Sequence, residues 1–278
     1  VPLVDLFDLA DENARRLDDR FRALEAGSPP PDPGDLRRFE EAVTKHGRVA
    51  LNMRPWIAAE FVRTGKYLNM NDAVREDAAL SGRPENELLR ERLGRFYQKR
   101  VSFDATFDDG CRFQYGVLNI GSAGPRSYGL FCFVLKKTFP KAGDRVAYLK
   151  RDSLNGYVAD DGRVDTGSLH GDLAPHSHRH RLAALKHSDD LDTRRADWPA
   201  MLCSDDDYVE AIFVADLGKT RVSEIRIARS DYESLWELCF RAHGRRLSDG
   251  EKALAFDFRV VLEAGRNRVI TLKVLDDA

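Results

Sequence analysis

The stretch Arg112-Phe-Gln-Tyr-Gly-Val-Leu-Asn-Ile120 sets Phe113, Tyr115 and Val117 on alternate positions, the period of an extended strand with one buried side. Gly121-Ser-Ala-Gly-Pro-Arg-Ser127 then turns the chain, and Tyr128 to Leu135 is nearly all apolar. The two segments are expected to pair as strands, with the glycine-rich connection at their ends.

Upstream the period is that of helices. Ala14, Leu17, Phe21 and Leu24 recur at steps of three and four between Asp11 and Ala26, a stripe closed by Gly27. The tract Ser28-Pro-Pro-Pro-Asp-Pro-Gly34 interrupts regular structure, because proline lacks an amide donor and biases its predecessor away from helix. A second helix is expected over Asp35 to His46, with Gly47 closing it, then a strand over Arg48-Val-Ala-Leu-Asn-Met53 and a helix from Pro55 to Thr64. A longer helix between Pro84 and Lys99 would present Leu89, Leu93, Phe96 and Tyr97.

Downstream, Asn155 to Asp207 is polar and reads as a surface excursion without a helix until about Leu182. Tyr208-Val-Glu-Ala-Ile-Phe-Val-Ala215 and Arg221 to Ile227 read as strands. Ser230 and Glu233 suggest a capping box for a helix bearing Tyr232, Leu235, Trp236, Cys239 and Phe240, with Gly244 past its end. Phe256, Phe258, Val260 and Leu262 alternate, so a further strand is expected there, turning into Ile270 to Val274. Helices first and a mainly antiparallel sheet later make the fold class α+β. The division is an N-terminal helical segment over 1–45 and a mixed core over 46–278, with the polar excursion at 155–207.

Hydrophobic residues form 42% of the 278 and charged residues 32%, a balance that supports a buried core and rules against wholesale disorder. The formal charge of -2 demands no polyanionic partner. Cys111, Cys132, Cys203 and Cys239 stand singly, without the spacing of a zinc knuckle or redox pair. No apolar run is long enough to cross a bilayer, so no membrane partner is expected. The amino end lacks the layout of a secretory leader; the expectation is a soluble protein, cytoplasmic or delivered into a target cell, with export left open.

The phosphate-loop, dinucleotide, serine-elbow and H-E-x-x-H motifs are missing. Four constellations remain. His170, His176, His178, His180 and His187 cluster; were Pro175 to Arg181 extended, three rings would point one way and could hold a transition metal, the basis of an alternative metal-dependent hydrolase. Arg179, Arg181 and Lys186 oppose a cation there, so no metal ligands are assigned. Glu210 lies inside an apolar strand, where a carboxylate needs a partner, an escape to solvent, or a catalytic task. His46-Gly47-Arg48 at a helix-to-strand junction suits either a helix cap or contacts to a ribose hydroxyl and a phosphate. Tyr115-Gly116 and Arg126-Ser-Tyr-Gly129 suit either core packing or a stacking wall over a flat ring.

The order of these elements, His-Gly before a strand, Tyr-Gly beside aromatic strands, then an isolated Glu in a late strand, resembles the His-Tyr-Glu layout of the ADP-ribosyltransferase superfamily. Arg112 to Ile120, Gly124-Pro-Arg-Ser-Tyr-Gly129 and Tyr208-Val-Glu-Ala211 are also similar to a poorly characterised bacterial family with Tyr-Gly-Ala-Leu-Asn, Pro-Arg-Phe-Gly and Tyr-Ile-Glu-Ala segments in that order. The likeness covers roughly residues 46 to 227.

It implies a split-sheet core and an NAD-consuming glycosyl-transfer enzyme, an ADP-ribosyltransferase or NAD glycohydrolase of the toxin or effector kind. NAD would be the substrate, a protein or nucleic acid the acceptor, and an activator or immunity protein a partner. His46 would bind the ribose side of NAD, Tyr128 would stack on nicotinamide, and Glu210 would favour attack at the anomeric carbon. Tyr115 and Arg126 join His46 and Tyr128 as expected cofactor contacts, and Arg48, which is not part of that family pattern, is added from its charge alone. The sequence departs from the transferase pattern at Arg48, where Thr is usual, and at Tyr208, where an acidic residue or Gln is usual. A non-enzymatic effector acting by contact is the further alternative.

Overall fold

Local chemistry starts and stops the helices. The computed structural model describes residues 3–27, 32–241, 247–267 and 269–277. Asp5 caps α1 (Leu6–Glu25), and Asp32 caps α2 (Pro33–His46), which therefore begins at a proline. Ser28 to Pro31, the rest of the expected breaker, lie outside the described residues. β1 (Arg48–Met53) and α3 (Pro55–Thr64) follow, the latter closed by left-handed Gly65. Next come α4 (Met70–Ser81), α5 (Glu85–Leu93) and α6 (Tyr97–Thr106), so the single helix expected over 84–99 is two, parted at Gly94 with φ 52°.

β2 (Gln114–Asn119), β3 (Phe131–Leu135) and β4 (Arg145–Leu149) lead to α7 (Ser153–Tyr157), α8 (Thr166–Gly171), β5 (Leu173–Pro175), α9 (Arg179–Lys186) and α10 (Trp198–Leu202). The segment read as a polar excursion thus supplies an edge strand, and Leu182, Ala183 and Ala184 of α9 are fully buried. β6 (Glu210–Val214), β7 (Val222–Ala228), α11 (Arg229–Arg241), α12 (Asp249–Arg266) and β8 (Thr271–Leu275) complete the chain.

The expected strand over 256–262 is helix α12. Ala255, Phe258, Val261 and Leu262 are buried while Phe256 is 65% exposed, so the true period is helical; the alternation arises because Phe258 and Leu262 are four apart. The capping box belongs to this helix, at Ser248 and Glu251. Ser230 instead sits inside α11 and gives its amide and hydroxyl to Asp277 at 3.0 and 2.8 Å. Gly244 lies outside the described residues.

Among the described residues, eight strands form one sheet in the order β5-β4-β6-β2-β1-β3-β7-β8, antiparallel except for the β7–β8 pair. The fold is a mixed one of helices and a mostly antiparallel sheet. β2 and β3 do not pair, contrary to expectation, because β1 lies between them and bonds to both. The connection 120–130 crosses β1, where Asn52 Nδ2 donates to the carbonyls of Ala123 and Gly129 at 3.0 and 2.9 Å. Only glycine fits twice in this crossing. A Cβ on Gly129 would sit 2.1 Å from the Met53 carbonyl carbon, and Gly124 has φ 72° against the Asn52 side chain.

β1 pairs with β2 only over residues 48–50, after which β1 follows β3 while the first half of β2 follows β6. One sheet face packs on α2, α3, α9 and α12 through Leu51, Leu118, Phe133, Tyr148, Ala211 and Phe213. The other carries Leu149, Ile212 and Phe113 against Phe103 of α6, Leu6 of α1 and Leu169 of α8. Glu210 is two residues from Ile212 and shares this second face.

Candidate functional site

Glu210 opens β6 between Leu149 of β4 and Val117 of β2 and is 4% exposed. A carboxylate so placed costs several kcal/mol unless it is paired or protonated, roughly 2 or more for even a neutral polar group. Its Oε2 accepts the Ser153 amide at 2.8 Å. That amide is available because Asp152 turns the chain into α7: its Oδ1 accepts from Leu154 and Asn155 at 3.1 and 2.7 Å. Its Oδ2 accepts the Tyr208 hydroxyl at 2.6 Å and the Tyr128 hydroxyl at 3.2 Å. The two phenol oxygens are 2.6 Å apart, with the rings edge to face at 5.9 Å. Tyr128, 49% exposed, forms the outer boundary of the group.

Helix α6 supplies the other wall. Tyr115 and Glu210 lie on the same face of adjacent strands, since Tyr115 is opposite Ile212 and Val117 is opposite Glu210. The Arg100 guanidinium lies 3.6 Å over the Tyr115 ring, and the Tyr115 hydroxyl donates to Asp104 Oδ1 at 2.5 Å. Arg100 Nη1 is 3.6 Å from that same oxygen, an ion-pair distance too long for a hydrogen bond. Arg100 and Asp104 are one helical turn apart, which sets both heads toward the sheet.

Burial raises the Glu210 pKa to about 8, and the Asp152 charge adds to this; Arg100 and Ser153, through its side chain and its amide, act in the opposite sense without prevailing. Burial also raises Asp104 despite Arg100, and pushes Tyr128 up to about 12 and Tyr115 and Tyr208 well above the usual phenol range. Burial works against the Arg100 charge, but Tyr115, Asp104, Glu210 and Asp152 outweigh it and hold the guanidinium charged. At neutral pH Glu210 therefore keeps its proton, and a cation arriving beside it would release that proton.

Neither a family model nor a curated protein matches this chain. The site is read from its own chemistry.

Three sequence-derived candidates come together here, Glu210, Tyr115 and Tyr128: Tyr115 shares the sheet face of Glu210, and Tyr128 bonds to Asp152, whose neighbour Ser153 gives its amide to Glu210. The other three do not join them. His46 is exposed at the end of α2. Arg48 turns back to the carbonyls of Gly47 and Lys45 at 2.8 and 3.1 Å, the helix-cap role. Arg126 pairs with Asp231 at 2.5 Å. Sequence reading missed Arg100, Asp104, Asp152, Ser153 and Tyr208 as members. Asp152-Ser153 carried the composition of a helix start, but nothing marked Arg100 among the many charged residues of its region.

The histidine run is not extended: His176 to His178 form a single 3-10 turn that leads into α9. His176 Nδ1 meets the Tyr148 hydroxyl at 3.0 Å, His178 Nε2 meets Asp18 at 3.2 Å, and His180 Nε2 faces Glu40 at 3.7 Å. Among the described residues, no group of three His, Cys, Asp or Glu side chains is placed to hold a metal. Two surface pockets lie apart from Glu210, one of about 480 Å³ between α2 and α9 and one of about 260 Å³ between α11 and α12.

Proposed function

We propose that the chain is an NAD-consuming enzyme, an ADP-ribosyltransferase or NAD glycohydrolase, whose reaction centres on Glu210. The observation that carries this reading is a carboxyl in a central strand, 4% exposed, held by one backbone amide and flanked by tyrosines and a single guanidinium. The parting of the sheet between β1 and β2 is what a split-sheet core of that superfamily would need.

Cleavage of the nicotinamide bond develops positive charge on the ribose, and a carboxylate beside it favours the transition state over the ground state. Free Glu210 is protonated at neutral pH, and the positively charged nicotinamide ring of a bound NAD would favour its ionisation. Tyr128 is the exposed aromatic group at the outer edge of the network and the ring available for stacking. Arg100 takes the place of His46 and Arg48 as the cation of the site. Water as acceptor gives a glycohydrolase; a protein or nucleic-acid group gives a transferase.

The test is to incubate the wild type and Glu210→Gln with NAD, with and without cell lysate as acceptor source, and to quantify free nicotinamide and bound ADP-ribose. The expected loss in the variant is about 10² to 10³ in rate. Equal release by both proteins removes Glu210 from the chemistry, and neither release nor NAD binding by wild type removes the reading. The burial of Glu210 favours a second reading, a polar core network in a protein that acts by contact, for which Glu210→Gln would alter only stability.

A further inference from the structure

Two polar atoms beside Glu210 lack hydrogen bonds. Arg100 Nη1 and Ser153 Oγ are both buried and make no hydrogen bond; Nη1 is held only at ion-pair distance from Asp104, and the hydroxyl of fully buried Ser153 lies close enough to the Glu210 carboxyl to favour its charged form. Three neighbouring donors are used, since the Ser153 amide goes to Glu210 and the Tyr115 and Tyr208 hydroxyls go to Asp104 and Asp152. Helices α6 and α7, which carry the two atoms, pack against each other. Leaving such atoms without hydrogen bonds is costly, and binding sites are where that cost is recovered by a ligand.

We propose that Arg100, Ser153 and Glu210 form a recognition site for a neutral carboxamide and discriminate against the corresponding carboxylate. The guanidinium donor calls for an oxygen acceptor. An anion would meet the acidic side chains of Asp104 and Asp152 around that one cation, whereas an amide oxygen is accepted without added charge. The amide nitrogen then donates to Ser153 Oγ and Glu210, the acceptors left on the other side. Within the NAD reading, on which this rests, the ligand group is the amide of nicotinamide, and Arg100 and Ser153 are its specificity determinants.

Nicotinamide and nicotinate differ only in this group and are the probes. Their binding to wild type, Ser153→Ala, Arg100→Gln and Arg100→Lys is measured by calorimetry and ligand-observed NMR at neutral pH, with circular dichroism to confirm folding. Ser153→Ala removes an unsatisfied hydroxyl, so its melting temperature should hold or rise while nicotinamide binding weakens. Wild type should prefer nicotinamide, and Ser153→Ala and Arg100→Gln should each weaken its binding about 10- to 100-fold, the weight of one hydrogen bond in a charged site. Arg100→Lys should restore part of it.

Equal or tighter binding of nicotinate, binding of neither probe, or full affinity in folded Ser153→Ala and Arg100→Gln overturns the proposal. NAD turnover by wild type, assayed in parallel, separates the two readings. Carboxamide preference without turnover supports this site and counts against the enzyme; turnover without preference leaves the enzyme and overturns this site.

Discussion

Glu210 and Glu224 are both glutamates in strands of one sheet, and their surroundings drive them to opposite protonation states. Glu224 on β7 has a side chain only 13% exposed, yet it accepts from Arg226 Nε at 2.6 Å and Lys273 Nζ at 2.5 Å. Burial works to raise its pKa, but Lys273 and Arg226 outweigh it and hold the carboxyl below its ordinary value. Glu210 is buried with one backbone amide, a guanidinium that lies over Tyr115 and at ion-pair distance from Asp104, and Asp152 nearby, so its pKa goes up. A carboxyl with a structural role is matched by cations at hydrogen-bond distance. Glu210 is left short of that match, and this difference is what singles it out.

The comparison breaks most decisively by exchanging charge for shape at each position. Glu210→Gln should cost about 2.7 to 4 kcal/mol in the barrier to NAD cleavage while leaving thermal stability at neutral pH equal or higher. Glu224→Gln should do the reverse, losing about 1.5 to 3 kcal/mol in denaturant titrations with turnover per folded molecule unchanged, because Arg226 and Lys273 lose a charged acceptor. If both variants lose stability alike and neither affects turnover, the two glutamates play the same part.

The pH dependence of stability sharpens the contrast. Glu210 binds its proton more tightly in the folded state, so its contribution is fully present below the unfolded value of 4.5 and is lost as pH rises through about 8. Wild type should therefore lose stability relative to Glu210→Gln with rising pH in that window, with a slope approaching about 1 kcal/mol per pH unit. Above pH 8 the two curves should run parallel. Glu224 has the opposite sign: its contribution is present above 4.5 and lost on acidification. Burial holds His176, His180 and His187 down to about 4, so their neutral packing is stabilising above 6.5 and lost as pH falls toward 4. Urea midpoints across pH 4 to 9 for both Gln variants check the signs. In the same frame, kcat/KM for NAD should climb with pH toward about 8 as free Glu210 ionises.

The smallest effect concerns the tyrosine boundary. Tyr128→Phe removes one hydroxyl from the Tyr128–Tyr208–Asp152 network and should cost about 0.5 to 1.5 kcal/mol, since Tyr208 still satisfies Asp152. Tyr208→Phe should cost more, because its hydroxyl is the shorter bond to Asp152. Thermal melts of the two single variants and the pair would give the coupling between them.

Much of the helical half of the chain was legible as sequence. β1 begins and ends at Arg48 and Met53 as read, and α3 runs from Pro55 to Thr64 with Gly65 beyond it, because proline and glycine fix local backbone conformation wherever they sit. Glu210 could be singled out because a charge in an apolar strand is anomalous in any fold. The same local logic failed where two periods coincide: Phe256 to Leu262 satisfies an alternating pattern and a four-residue one, and only the packing of Phe258 and Leu262 decides for helix.

What the sequence alone determined, then, is local: where chain direction changes, which faces are apolar, and which carboxylate is out of place. Tertiary structure alone decided that β1 lies between β2 and β3, that β8 runs parallel to β7, and that Arg100 lies over Tyr115 on the sheet face of Glu210 while His46 stays exposed at the end of α2. Strand order and charge pairing are set by contacts between residues far apart in the chain. No local periodicity encodes which arginine of a charged helix will lie over Tyr115 and which will stay in water.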